Sequence, residues 1–304
     1  MTDKKYTVGI VGGGAVGLTF AAFLADSAKI IIKTHSREQA EEIKTKGLHL
    51  VHKSKTGTEE QKDISGIDAT SDASDLAHCD AVIVTVKSYD TETVAKELSD
   101  VLPSTAEVLT VQNGLQAFDI LKNTIKNPER VFAGVTYLGS TRLNNYSVSV
   151  GQFTKAVADV KATVIGKVLQ ESRFEFESTN EIKQAVWGKM TMNTAQNALG
   201  AITGLTMLAM GQSEECWKIM DNLLHEFEQV AKAEGVNFTY SLRDKVKDNL
   251  QMAHHPSMWQ DLQNKKRTEI DAMNGAISDL GKKHTIPTPY NDLMTSLIKI
   301  IEKT

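Results

Sequence analysis

The sequence predicts an α/β protein in two parts, a doubly wound parallel sheet over residues 1–180 and an all-α domain over residues 181–304. Three observations predict it. Short β-branched runs alternate with helical patterns through the first half, the mark of parallel βαβ units. From Glu181 onward helical periodicity takes over with almost no strand pattern. A chain of 304 residues also exceeds what one hydrophobic core usually supports.

Strands are expected at 7–11, 29–33, 81–86, 107–111 and 131–135, with helices at 16–25, 37–45, 91–102 and 118–123 between them. These strands read as continuous apolar runs because a parallel sheet is covered on both faces. Residues 137–158 are less regular, with 146–150 and 156–158 as antiparallel strands ending the sheet. A helix near 162–171 and a strand near 174–177 close this part. Helices then follow at 182–203, 213–234, 240–253, 268–284 and 290–303, punctuated by Gly235, Pro256, Pro287 and Pro289.

The composition is that of a folded soluble protein, with 41% hydrophobic and 24% charged residues and 5 prolines. A net charge of -4 offers no broad positive field for nucleic acid or an anionic membrane, and neither is expected as a partner. Cys79 and Cys216 lie far apart and outside metal-ligand spacing, so a reducing compartment and the cytoplasm are expected. Lys4 and Lys5 precede a run broken by Gly12, Gly13 and Gly14, unlike a secretory signal. Residues 190–213 carry no charge, but Asn193, Gln196, Asn197 and Gln212 would place amides in hydrocarbon, so a helix buried in protein is the better reading. His254 and His255 lack further ligands at useful spacing, and no metal is expected.

Residues 6–24 read as strand, then Gly12-Gly13-Gly14-Ala15-Val16-Gly17, then an apolar helix. That context gives G-x-G-x-x-G its meaning as a dinucleotide-binding turn of Rossmann type. Gly12 permits the tight turn, Gly14 lets backbone approach the pyrophosphate, and Gly17 packs helix on strand. An NAD site would carry an acid roughly 20 residues on, at the end of the second strand. Here stand Lys33, His35, Ser36 and Arg37, suited to a 2′-phosphate, so NADP (as NADPH) is expected rather than NAD. For Arg37 taken alone, the start of a surface helix is the competing reading. Lys87 and Asn113 follow the third and fourth strands, at the sheet edge where ligands bind, although a surface lysine and an Asn-Gly turn are the plain alternatives.

In the helical part Lys189, Asn193 and Asn197 fall at i, i+4 and i+8, one row on a helix. Two asparagines on a largely buried helix require partners. The row reads as the polar lining of a cleft or as a snorkelling lysine with two core amides. Ser257 and the stretch 267–275 offer a hydroxyl and a carboxylate whose convergence spacing cannot show.

Taken in order, Gly12-x-Gly14-Ala15-Val16-Gly17, Val84-Thr85-Val86-Lys87, Gln112-Asn113-Gly114, Trp187-Gly188-Lys189-Met190 with Asn193, Ser257-Met258-Trp259-Gln260-Asp261 and Thr268-Glu269-Ile270-Asp271 with Asn274-Gly275 resemble the motifs of the ketopantoate reductase family. The resemblance implies NADPH-dependent reduction of a small 2-oxo acid, 2-dehydropantoate, to (R)-pantoate for coenzyme A synthesis. It implies Lys189 as proton donor, with Glu269 holding the substrate hydroxyl and orienting cofactor and lysine. Asn193, Asn197 and Ser257 then bind substrate together with Lys189, while Lys87 and Asn113 contact cofactor and substrate. Two departures stand out: His35 or Ser36 occupies the place of the family's arginine, and His254 and His255 replace a polar residue near Ser257. Reduction of another 2-oxo acid and a non-catalytic NADP-binding sensor stay open, as does a homodimer.

Overall fold

The computed structural model describes residues 6–53 and 57–304, and Lys4 and Lys5 lie outside the described residues. The chain packs as two units, one running up to Gln112 and resuming over Ala117–Ile182, the other made of Asn113–Gln116 and Lys183–Thr304.

The first unit opens with β1 (Thr7–Val11) and α1 (Ala15–Leu24), whose apolar residues are almost all buried. β2 (Lys29–Lys33) and α2 (Arg37–Lys46) follow, then β3 (Leu48–Lys53), β4 (Glu59–Ile64) and β5 (Asp68–Thr70). β6 (Ala81–Val84), α3 (Thr91–Val101), β7 (Glu107–Thr110) and α4 (Ala117–Thr124) continue the alternation. The unit closes with β8 (Val131–Arg142), β9 (Ser147–Asp159), α5 (Thr163–Gln170) and β10 (Glu175–Thr179).

Six strands lie parallel in the order β5-β2-β1-β6-β7-β8. That is the doubly wound order, with its reversal between β1 and β6. Beyond β8 the sheet turns mixed: β9 is antiparallel to β8, β3 and β10 are parallel to β9, and β4 is antiparallel to β3. Every residue of β6 and β7 is buried, as the uninterrupted apolar runs predict. Glu107 and Thr110 are the polar exceptions, and Glu107 is fully buried. Its carboxylate accepts from Val164 N, Ile165 N and Thr163 Oγ1 at 3.0 Å, at the start of α5, where the helix field favours an anion.

The second unit is helical: α6 (Ile182–Thr203), α7 (Met207–Gln212), α8 (Glu214–Ala233), α9 (Leu242–Asn249), α10 (Ser257–Gln263), α11 (Asn274–Lys283) and α12 (Pro289–Ile301). Trp187, Met220, Leu223, Phe227 and Ile277 lie in its core. None of its helices, and none elsewhere among the described residues, is long and apolar enough to cross a membrane.

Four differences from the expected elements have physical causes. The charged strand β4, its partner β3 and the three-residue β5 are additional to the expected strands, since Glu59–Ile64 carries almost no apolar pattern and is held as a strand by pairing with β3. Residues 131–159 form one long hairpin, not scattered short strands, with a bulge between Leu138 and Ser140 interrupting the alternation. The helix expected over 240–253 stops at Asn249, because Met252 O and His254 O accept from Leu208 N and Met207 N. The helix expected over 268–284 breaks at Met273, with φ -105° and ψ -101°, into a single turn (Ile270–Ala272) and α11.

Candidate active site

In the first unit the glycine turn leaves β1 at the carboxyl edge of the sheet. Gly12 has φ +122°, and a Cβ there would meet Thr85 Oγ1 at 2.8 Å; at Gly17 a Cβ would lie 1.8 Å from Gly12 O. Both positions exclude a side chain for packing reasons. Gly14 differs: nothing lies within 4 Å of the place a Cβ would take, and it caps α1 with no side chain on the helix amides and no acid in the first turn. An open helix N-terminus of this kind suits a pyrophosphate, so the residues present fit a dinucleotide. Ala15 and Val16 form the first turn of α1.

The end of β2 is tied to this turn by Gly12 N donating to Lys33 O at 2.9 Å. Lys33 itself is spent elsewhere, its ammonium 2.5 Å from Glu97, which removes it from the groups expected to meet a 2′-phosphate. His35, Ser36 and Arg37 are exposed, Ser36 capping α2 by accepting from Gln39 N. Lys87 is half-buried at the turn after β6. Gln112, quoted in a motif without a role of its own, holds that turn by donating to Val86 O at 2.9 Å and Thr91 Oγ1 at 2.8 Å.

In the second unit the row on α6 is half-buried at Lys189 and Asn193 and buried at Asn197. Enough protein surrounds the Lys189 ammonium to push its pKa from 10.5 down to about 8, while the carboxylate of Glu269 pulls the other way. Glu269 is buried at 6% exposure and accepts from Asn113 Nδ2 at 3.5 Å. Asn113 reaches it because Gly114, at φ +97°, lies flat on the Ile270–Ala272 turn, where a Cβ would meet Ala272 O at 2.6 Å. The break at Met273 is therefore what presents Glu269 to Asn113.

Among the described residues Asn193 Nδ2 is buried without a hydrogen-bond partner, while Asn197 Nδ2 meets the weak acceptor Met273 Sδ at 3.4 Å. Ser257, exposed, opens α10; the Pro256 beside it packs on Gly200 of α6, where a Cβ would approach to 2.7 Å. Lys189, Glu269 and Asn113 are thus gathered at one place. His255 stacks on Trp259 with ring centroids 3.8 Å apart, and His254 O accepts from Met207 N. Among the described residues no three His, Cys, Asp or Glu side chains converge as metal ligands.

A second set of residues fixes α6. Glu226, buried on α8, accepts from Tyr290 N at 2.8 Å and from Asn291 Nδ2 at 2.7 Å. Asn291 Oδ1 in turn accepts from Asn274 Nδ2, which also donates to Thr194 O of α6, both at 3.0 Å. Asn274 was visible in the sequence as part of a motif; Glu226 and Asn291 carried no local signal.

A doubly wound unit with an open glycine cradle, in one chain with a helical unit holding a poorly solvated lysine beside a carboxylate, defines an oxidoreductase of the Rossmann class. The profile described as ketopantoate reductase PanE/ApbA matches residues 8–168 and its C-terminal counterpart matches residues 181–302, so the chain belongs to the ketopantoate reductase family. It is 29% identical over 303 residues to the 2-dehydropantoate 2-reductase of Archaeoglobus fulgidus, covering 97% of each chain. Its structure is similar to a PanE/ApbA family ketopantoate reductase from Ralstonia eutropha, with a TM-score of 0.89, 28% identity and 98% of each chain covered. A D-mandelate dehydrogenase, solved with NADH and anilino(oxo)acetate, shares the fold at a TM-score of 0.86, with 23% identity over 98% of each chain.

Proposed function

We propose that this oxidoreductase reduces 2-dehydropantoate to (R)-pantoate with NADPH, the step that feeds pantothenate and coenzyme A synthesis. The observation that carries the reading is the poorly solvated Lys189 ammonium beside Glu269, with the Asn193 amide, unpartnered among the described residues, one helical turn away.

A dinucleotide held at the glycine turn would supply a hydride for the ketone carbon. The ketone oxygen gains negative charge as this happens and needs a proton. Lys189 meets both needs, since an ammonium in a poorly solvated place stabilises developing charge strongly and then donates. With a pKa of about 8 it is roughly nine-tenths protonated at pH 7, yet acidic enough to give the proton up. Glu269 keeps that cation charged despite its burial and, held by Asn113, accepts from the substrate hydroxyl. Asn193 donates its free amide hydrogens to a substrate oxygen, a strong source of selectivity because the donor is otherwise unsatisfied. Asn197 and Ser257 extend the polar lining on α6 and α10. The missing acid at the end of β2, with the exposed His35, Ser36 and Arg37 beside it, supports NADPH over NADH in this reading.

A bulkier 2-oxo acid is a second reading, favoured by the His255–Trp259 stack two residues either side of Ser257. The test is oxidation of NADPH and NADH by purified protein over a panel of 2-oxo acids, 2-dehydropantoate and aromatic acids included. Highest kcat/KM with 2-dehydropantoate supports the first reading. A higher value with an aromatic acid replaces the substrate, and no turnover with any acid leaves the sensor reading.

A further inference from the structure

The glycine turn is held from an unexpected direction. Gly13 O accepts from two side chains, Gln39 Nε2 at 2.8 Å and Arg142 NH1 at 3.4 Å. Gln39 is buried on the first turn of α2 and fills the place a Gly13 side chain would occupy, with Oε1 only 2.5 Å from that position. Its amide also donates to Asn145 O at 2.9 Å, at the tip of the β8–β9 hairpin. The same tip is pinned further along α2, where the Lys46 ammonium lies 4.6 Å from the centre of the Tyr146 ring. Arg142, the last residue of β8, therefore rides on a support docked along α2 and hangs beside the glycine turn at the carboxyl ends of β1 and β2.

The charges around it are uneven. Lys33 is neutralised by Glu97, and Ser36 is occupied in capping α2. Arg142 is exposed and has no carboxylate partner among the described residues; its contact with Gly13 O is long and to a neutral acceptor. A guanidinium is the group best matched to a phosphate monoester, by fork geometry as well as charge. Residues 33–36 at the end of β2 hold no arginine, and the β8–β9 hairpin brings Arg142 beside Gly13 O.

We propose that Arg142 binds the 2′-phosphate of NADPH and, beside the exposed His35 and Arg37, contributes to its separation from NADH. The proposal rests on the cofactor reading above and deepens it. Arg142 holds the phosphate from outside, while the amides at the start of α1 hold the pyrophosphate.

The experiment is calorimetric titration of wild-type protein, Arg142→Ala and Arg142→Lys with NADPH and with NADH, in the absence of substrate. Expected is a Kd for NADPH weakened about ten- to a hundredfold in Arg142→Ala, the loss of one charge-assisted contact, with the NADH value unchanged. Arg142→Lys recovers part of it, and the salt dependence of NADPH binding flattens in the alanine variant. Equal weakening for both dinucleotides would mean that Arg142 only props the Gly13 turn and overturns the proposal, as does an unchanged preference for NADPH. If wild-type protein itself binds NADH as tightly as NADPH, the cofactor reading falls together with the proposal. Thermal melts of the apo-variants confirm folding, which an exposed side chain should not disturb.

Discussion

Asn113 and Glu269 are 156 positions apart, yet the amide of one donates to the carboxylate of the other across 3.5 Å. The bond exists because a flat Asn113–Gly114 turn rests on a broken helix, and it fixes the carboxylate that keeps Lys189 charged.

The pH dependence of turnover follows from that pair. kcat/KM for 2-oxo acid reduction should hold level below about pH 8 and fall above it, as Lys189 loses its proton. Glu269→Gln removes the interaction that raises the lysine pKa, so the limb should move to lower pH. Lys189→Ala should lose about 10²–10⁴ in kcat while calorimetry shows NADPH binding intact. Wild-type turnover in that variant, or a limb that ignores Glu269, removes Lys189 from the role of proton donor.

The same lysine should cost stability. Its folded pKa is depressed, so the folded state favours the neutral amine: that stabilisation is complete above about 10.5 and is lost as pH falls through about 8. At pH 7 the protein carries a poorly solvated ammonium, and Lys189→Met should gain about 1–3 kcal/mol in urea unfolding while abolishing turnover. The gain should narrow as pH is raised toward 9. A destabilised methionine variant at pH 7 would show that Glu269 fully compensates the burial.

Gly114→Ala tests the turn. At φ +97°, with Ala272 O 2.6 Å from the new Cβ, the turn must lift off the Ile270–Ala272 segment and take Asn113 from Glu269. Expected is a loss of about 1–3 kcal/mol in stability and a lower kcat. An alanine variant with wild-type kcat would show that the Asn113–Glu269 bond is dispensable.

The Glu226–Asn291–Asn274–Thr194 chain predicts a stability defect without local chemistry. Asn274→Ala deletes both donations and leaves Asn291 Oδ1 buried and unpaired, at a cost of about 1–3 kcal/mol in chemical denaturation. Combined with Glu226→Ala, the two effects should be markedly non-additive, because the residues share one network. Simple additivity would indicate two independent structural bonds.

Much of this was legible because its determinants are local. The bounds of β1, β2 and α6 coincide with the runs that predicted them, and the row Lys189, Asn193, Asn197 follows from helical period alone. Lys33 was legible only as a charge: nothing near it in sequence shows that Glu97, 64 residues on, takes up that charge. β4 was invisible for the same reason, since a charged edge strand is defined by the neighbour it pairs with.

Residue order by itself determined the doubly wound sheet, the glycine cradle and the helical second half, through periodicities and turn chemistry acting over a few residues. Only tertiary structure decided that the helix breaks at Met273, that Asn113 meets Glu269, that the Lys189 ammonium is costly to charge, and that Arg142 arrives beside Gly13. Each of these depends on burial or on a partner far away in the chain. Desolvation and long-range hydrogen bonds are properties of surroundings, which exist only once the elements have packed.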